Sequence, residues 1–96
     1  MKFYFHPKAD EEFDEAVRYY EECRPGLGLK FAAEVYAAIT RISEYPESWP
    51  AMSKNTRRCR VNRFPYGVIF KMKSGLLRII AIANLQRRPG YWKDRI

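Results

Sequence analysis

Residues 66–83 read YGVIFKMKSGLLRIIAIA, and this stretch decides the fold. Two apolar runs, Tyr66–Met72 and Leu76–Ala83, flank Lys73-Ser74-Gly75. That spacing predicts two strands joined by a tight hairpin turn. The second run is apolar on both parities except at Arg78, so both of its faces need cover and it belongs inside the sheet. Just upstream, residues 57–64 read RRCRVNRF. Cys59 and Val61 fall on one parity, and Arg58, Arg60 and Asn62 on the other. This alternation predicts a strand over Arg57–Phe64 with one core face and one basic face.

Further upstream the period changes. Tyr45 to Thr56 holds Pro46, Ser48, Pro50, Ser53 and Asn55 and reads as a loop. Before it, Phe31, Val35, Ala38, Ile39 and Ile42 step along one helical face that stops short of Pro46. Ala9, Phe13, Ala16, Val17 and Tyr20 do the same in an earlier helix. Pro7 suits the first turn of that helix, and Asp10, Glu11 and Glu12 suit its positive end. Arg24-Pro25-Gly26-Leu27-Gly28 breaks the two helices apart, and so short a linker makes them antiparallel neighbours. Lys2-Phe3-Tyr4-Phe5 reads as a short opening strand. The order is βααβββ, an α+β fold with a helical hairpin packed on one face of an antiparallel-rich sheet. At 96 residues and 47% hydrophobic, the chain reads as a single domain over 1–96 with its own core.

Charge divides the chain. Residues 1–48 carry 6 Lys/Arg against 10 Asp/Glu, a net of −4, whereas residues 49–96 carry 12 against 1, a net of +11. An acidic half followed by a basic half points to an anionic partner facing the second half. Cys23 and Cys59 match no zinc or CxxC spacing and read as reduced thiols. No metal or other cofactor is expected. The N-terminal stretch holds no signal-like apolar run, and nothing later resembles a membrane span, so a cytoplasmic protein is expected.

The tail concentrates the cations. Arg87, Arg88, Lys93 and Arg95 stand with Tyr91 and Trp92, opposed only by Asp94. Pro89-Gly90 supplies a bend, so Trp92 can anchor the segment while the arginines stay exposed. Arg87, Arg88, Tyr91, Trp92 and Arg95 are the expected target-binding set, a grip for nucleic acid or an acidic protein surface. The plainer readings are packing for Trp92 and an edge-guarding role for Arg58 and Arg60. Tyr19, Tyr20 and Tyr36 read as core or groove lining. His6, the single histidine, reads as a surface or capping residue of the first helix.

The element order, with Arg63-Phe64-Pro65-Tyr66 opening a strand and Arg87-Arg88-Pro89-Gly90-Tyr91-Trp92 near the end, resembles the RelE/ParE toxin superfamily. The nearer likeness is to the ParE-like, plasmid-stabilisation branch. The resemblance implies a type II toxin–antitoxin system, in which an antitoxin folds along the toxin and holds its growth inhibition in check. A toxin–antitoxin hetero-oligomer is then expected. Arg58, Arg60, Tyr20 and Tyr36 are the expected antitoxin-binding residues. The target implied is either DNA gyrase, as for ParE-like members, or ribosome-bound mRNA, as for RelE-like ribonucleases.

Cleavage by the 2′-OH needs a base, an acid and cations for the phosphorane. If the chain is a nuclease, Arg58, Arg60 and Tyr91 are the catalytic candidates. Arginine holds its proton (pKa above ~12) and clamps phosphate better than it acts as a base. Where the relatives place a strand-opening Arg, this chain has Gly67, and where many end the last strand in His it has Asn84. The incomplete set weighs against an enzyme and favours gyrase over ribosome-dependent cleavage. A non-toxic, basic nucleic-acid-binding module and a relative that only pairs with the antitoxin are the other readings. No cation-bearing recognition helix and no paired exposed aromatics on a strand support the first of these.

Overall fold

The computed structural model describes residues 2–96. Its elements are β1 (Phe3–Phe5), α1 (Pro7–Cys23), α2 (Leu27–Glu44), β2 (Arg57–Arg60), β3 (Tyr66–Lys73), β4 (Leu76–Asn84) and a 3-10 turn, Lys93–Arg95. The sheet order is β1-β4-β3-β2, with β1 parallel to β4 and the other pairs antiparallel. The α+β architecture and the interior position of the last strand are therefore as the sequence predicts. No helix among the described residues is long and apolar enough to cross a membrane.

Local chemistry accounts for the element ends. Pro7 opens α1, and the His6 ring nitrogen Nδ1 accepts the Lys8 N–H at 3.1 Å, so the single histidine caps the helix. The break between helices is shorter than its Gly content suggests, because Leu27 and Gly28 already belong to α2. Gly28 is needed there for close approach: a Cβ at this position would lie 2.6 Å from the Val17 carbonyl oxygen. Glu21, reaching across from α1, accepts the Gly26 N–H at 2.9 Å and the Gly28 N–H at 3.1 Å. Its carboxylate thus supplies the α2 N-terminus with the cap that Gly26 lacks.

The β3–β4 turn places Ser74 at φ 52° and Gly75 at φ 78°, the pair of left-handed residues that a two-residue hairpin requires. β2 is shorter than predicted and ends at Arg60. Beyond it the Val61 N–H still donates to the Tyr66 carbonyl at 2.9 Å, but Arg63 turns left-handed at φ 71° and takes Asn62–Phe64 out of the sheet. Along β4 the register slips, with Phe70 opposite Ile79 and Ile69 opposite Ala81, so Ile80 is an extra residue in a β-bulge. Ile79 and Ile82 accordingly join the core under the helices, whereas Ile80 and Ala81 both face the other side.

The two faces of the sheet are covered differently. Phe31, Val35, Ala38, Ile39 and Ile42 of α2 are buried against Val68, Phe70, Leu77 and Ile79, which is the register predicted from helical spacing. On the outer face a smaller cluster of Ile69, Ile80, Ala81 and Ala83 is roofed by Trp92, with Met52 and Tyr91 at its rim. Cys59 is buried and Cys23 exposed, and both are free thiols.

Candidate functional site

β2 carries Arg58 and Arg60 on the outer side of the sheet, opposite Cys59, whose side chain joins the core. Arg60 is exposed. Arg58 is half-buried because its stem lies over Gly67: a Cβ there would meet the Arg58 Cγ and Cδ at 3.1 Å. The glycine that removes a cation from the opening of β3 therefore makes room for one from β2. Arg41 arrives from α2 and donates to the Arg60 carbonyl at 3.0 Å. Arg41, Arg58, Arg60 and Asn62 then line a cavity of about 260 Å³ against Trp49 and Pro50. Arg58 Nε and the Trp49 indole N–H are buried without an acceptor within the described chain.

The tail leaves β4 through an Asx turn, in which the Asn84 side chain accepts the Gln86 N–H at 2.9 Å. Gly90, at φ 85°, turns the chain back, and the Lys93 N–H closes onto its carbonyl at 3.1 Å. Trp92 is 5% exposed, so it anchors the segment as predicted but offers little surface to a partner. Arg87 and Arg88 are exposed. The Arg87 guanidinium lies 4.5 Å from the centre of the Tyr91 ring.

Arg95 departs from the expectation of an exposed cation. Its fork grips the Glu12 carboxylate bidentately, Nη1 to Oε1 at 2.9 Å and Nη2 to Oε2 at 3.0 Å. Its side chain is 9% exposed and that of Glu12 14%. Each charge sheds solvent here, and the loss is offset by the other charge and by one backbone group apiece, the Ile82 N–H for Glu12 and the Ile80 carbonyl for Arg95. Burial alone would lower the Arg95 pKa, but the Glu12 partner outweighs it and the guanidinium is held more tightly charged. Tyr91 is pushed well above the ordinary phenol range, chiefly by burial and then by the Glu12 carboxylate. Among the proposed target-contacting residues, then, Arg87 and Arg88 are exposed, Arg87 lying over the half-buried Tyr91, and Trp92 and Arg95 are structural.

The residues expected at the antitoxin interface do not converge. Tyr20 packs among Phe31, Phe64 and Tyr66, with ring centres 4.8–6.1 Å apart, and burial raises its pKa. It lines a groove of about 500 Å³ floored by Leu27, Ala33, Phe64 and Pro65 and edged by Arg24, Lys30 and Arg63, with Glu34 the acid among them. Tyr36 lies elsewhere, exposed beside Phe3 and Phe13. Tyr19 is more exposed than a core reading allows, at 60%, and packs edge-on against Tyr20. Arg58 and Arg60 belong to the outer face. The helical groove and the arginine cavity are two separate surfaces.

For RNA cleavage the geometry is also divided. Glu12 and Glu15 line a cleft of about 250 Å³ with Tyr66, Asn84 and Arg87, but Arg58 and Arg60 do not reach it. His6 is committed to capping, and burial with Arg78 and Arg95 nearby lowers its pKa. Among the described residues no group of His, Cys, Asp or Glu is arranged to hold a metal ion. In the sequence Glu12 reads only as one of three acids at a helix start, and Glu21, Arg41 and Trp49 stand in no functional pattern.

Residues 3–89 match the family model described as ParE toxin of type II toxin-antitoxin system, parDE. Among solved structures, a chain of the chromosomal ParDE TA system from P. aeruginosa matches with a TM-score of 0.76 at 18% identity. The match covers 88% of this chain and 96% of that one, and at this identity it is a likeness of fold. No curated protein matches the chain.

Proposed function

The chain belongs to the ParE toxin family of type II toxin–antitoxin systems, and from that premise we propose that it arrests growth by inhibiting DNA gyrase through its C-terminal tail. The observation that carries this reading is the exposed Arg87–Arg88 pair on a tail anchored by buried Trp92. Cations held on a fixed segment present a defined charged surface to an acidic protein face or to the DNA on the enzyme. The cell compartment is the cytoplasm, where gyrase works, and the system serves plasmid stabilisation or its chromosomal counterpart. No cofactor takes part.

A cognate antitoxin binds the groove around Tyr20, Leu27, Phe64 and Pro65. An apolar floor edged by Arg24, Lys30 and Arg63 suits an amphipathic segment with acidic flanks. Steering by the basic half makes association salt-dependent, so the on-rate falls between low salt and 0.1 M, where screening acts within ~10 Å.

The second reading, ribosome-dependent mRNA cleavage, is favoured by one observation. Arg58 and Arg60 share a cavity with Arg41, as a phosphate clamp would. Against it, Arg58 and Arg60 share no cavity with Glu12 or Glu15, and Tyr91 holds its proton firmly. The test is a supercoiling assay with purified gyrase beside mapping of ribosome-bound mRNA after induction. Loss of supercoiling that disappears in the Arg87→Ala/Arg88→Ala variant supports the gyrase reading. Codon-phased mRNA cuts abolished by Arg58→Ala or Arg60→Ala overturn it.

A further inference from the structure

β4 runs from Leu76 to Asn84, yet β1 pairs only with Leu77, Arg78 and Ile79. Past Ile79 no strand among the described residues pairs with that edge of β4, and the register of β4 against β3 shifts at a bulge there. Two charged side chains take the place of the missing strand. The Glu12 Oε1 accepts the Ile82 N–H at 3.1 Å, and Arg95 Nη1 donates to the Ile80 carbonyl at 3.2 Å. The same two side chains hold each other in the bidentate pair. Glu12 comes from the first helix and Arg95 from the last turn, 83 residues apart.

This clasp reaches the exposed cations in two further steps. The Arg95 guanidinium carbon lies 5.1 Å from the centre of the Tyr91 ring, and the Arg87 guanidinium carbon 4.5 Å from it. Trp92 fastens the tail to the sheet through apolar contact, which is non-directional. The planar fork on a carboxylate fixes direction. Such a buried pair adds little net stability compared with an apolar one.

We propose that Glu12 and Arg95 form a positioning clasp, which sets the Tyr91 ring and through it the exposed Arg87 in the orientation that the target meets. The inference rests on the tail-directed reading of toxicity given above. It assigns Glu12, distant in sequence and outside any contact with the target, to the toxic determinant.

The experiment compares the full chain with Glu12→Gln and, separately, Arg95→Gln and Arg95→Lys. Gln at position 12 keeps an oxygen for the Ile82 N–H but loses the charge that grips Arg95. Amide exchange of residues 91–96, exchange of the α2 core, growth arrest on induction and binding of the cognate antitoxin are measured for each. The expected result is tail exchange faster by about tenfold or more with core exchange unchanged. Growth arrest is then lost while antitoxin affinity stays within about threefold, since the groove is elsewhere. Arg95→Lys, which keeps the charge but not the fork, falls between wild type and Arg95→Gln. Unchanged tail exchange in both Gln variants overturns the clasp. A loosened tail with full growth arrest overturns its positioning role. Lost growth arrest with a tight tail makes Glu12 a contact residue and also overturns it. Failure of the underlying reading looks different: the Arg87→Ala/Arg88→Ala variant would remain toxic whatever the clasp does. Should Glu12→Gln not fold, the two Arg95 variants carry the same comparison.

Discussion

The two faces of the sheet carry the same kind of backbone under very different cover. On the inner face, the α2 side chains meet β3 and β4 in a continuous apolar layer. On the outer face, Trp92 roofs a small cluster of Ile69, Ile80, Ala81 and Ala83, and Arg87 and Arg95 flank Tyr91 at its rim. The difference teaches where the molecule has freedom. The inner face holds the fold and tolerates little change, whereas the outer face has a scaffold fixed by Trp92 and Arg95, and its exposed cations Arg60, Arg87 and Arg88 cost little to alter.

The sharpest way to break the comparison is to remove the same kind of bulk from each side. Phe31→Ala empties a fully buried site at the centre of the inner layer and is expected to cost about 3–5 kcal/mol, read by denaturant unfolding. Trp92→Ala removes the roof of the outer cluster, whose rim can partly collapse, and is expected to cost about 3 kcal/mol. Its effect on growth arrest should exceed that of any inner-face change of equal stability, because it frees the tail. Equal losses of toxicity at equal stability would erase the distinction between the faces.

Arg87→Ala with Arg88→Ala sharpens the same contrast from the other side. Both residues are exposed, and their removal is expected to shift stability by no more than about 0.5 kcal/mol while abolishing growth arrest. A folded double variant that remains fully toxic would move the determinant to Arg58 and Arg60. The smallest expected effect lies at the edge between the faces, in His6. Its folded-state pKa is lowered from 6.5, so the neutral ring that caps α1 is favoured by folding. The contribution is fully present above 6.5 and is lost as pH falls through the depressed folded value. A melting curve of wild type should therefore drop slightly more on acidification than that of His6→Asn, which caps without titrating.

Much of this was legible beforehand, for a physical reason. The helical steps of Phe31, Val35, Ala38, Ile39 and Ile42 and the left-handed turn at Ser74-Gly75 are encoded within a few neighbouring residues. So are the motifs shared with the family that residues 3–89 match. β2 ends earlier than its pattern predicts because Val61 keeps the alternation although pairing stops at Arg60 and the backbone turns at Arg63. Periodicity reports which side chains are buried, and it does not report where pairing stops.

The sequence by itself determined the element order, the two-helix hairpin, the interior strand and the split of charge between halves, since each follows from short-range pattern or composition. Only the tertiary structure decided what the individual charges do. Glu12 reads as one of several acids at a helix start, and Arg95 as one of several tail cations. They meet where β1 stops short along β4, each bonded to a backbone group of the β4 edge that β1 leaves uncovered. Likewise Gly67 reads as a missing cation until the stem of Arg58 is found lying over it. Contacts between residues tens of positions apart depend on where a sheet edge ends, and no local pattern carries that information.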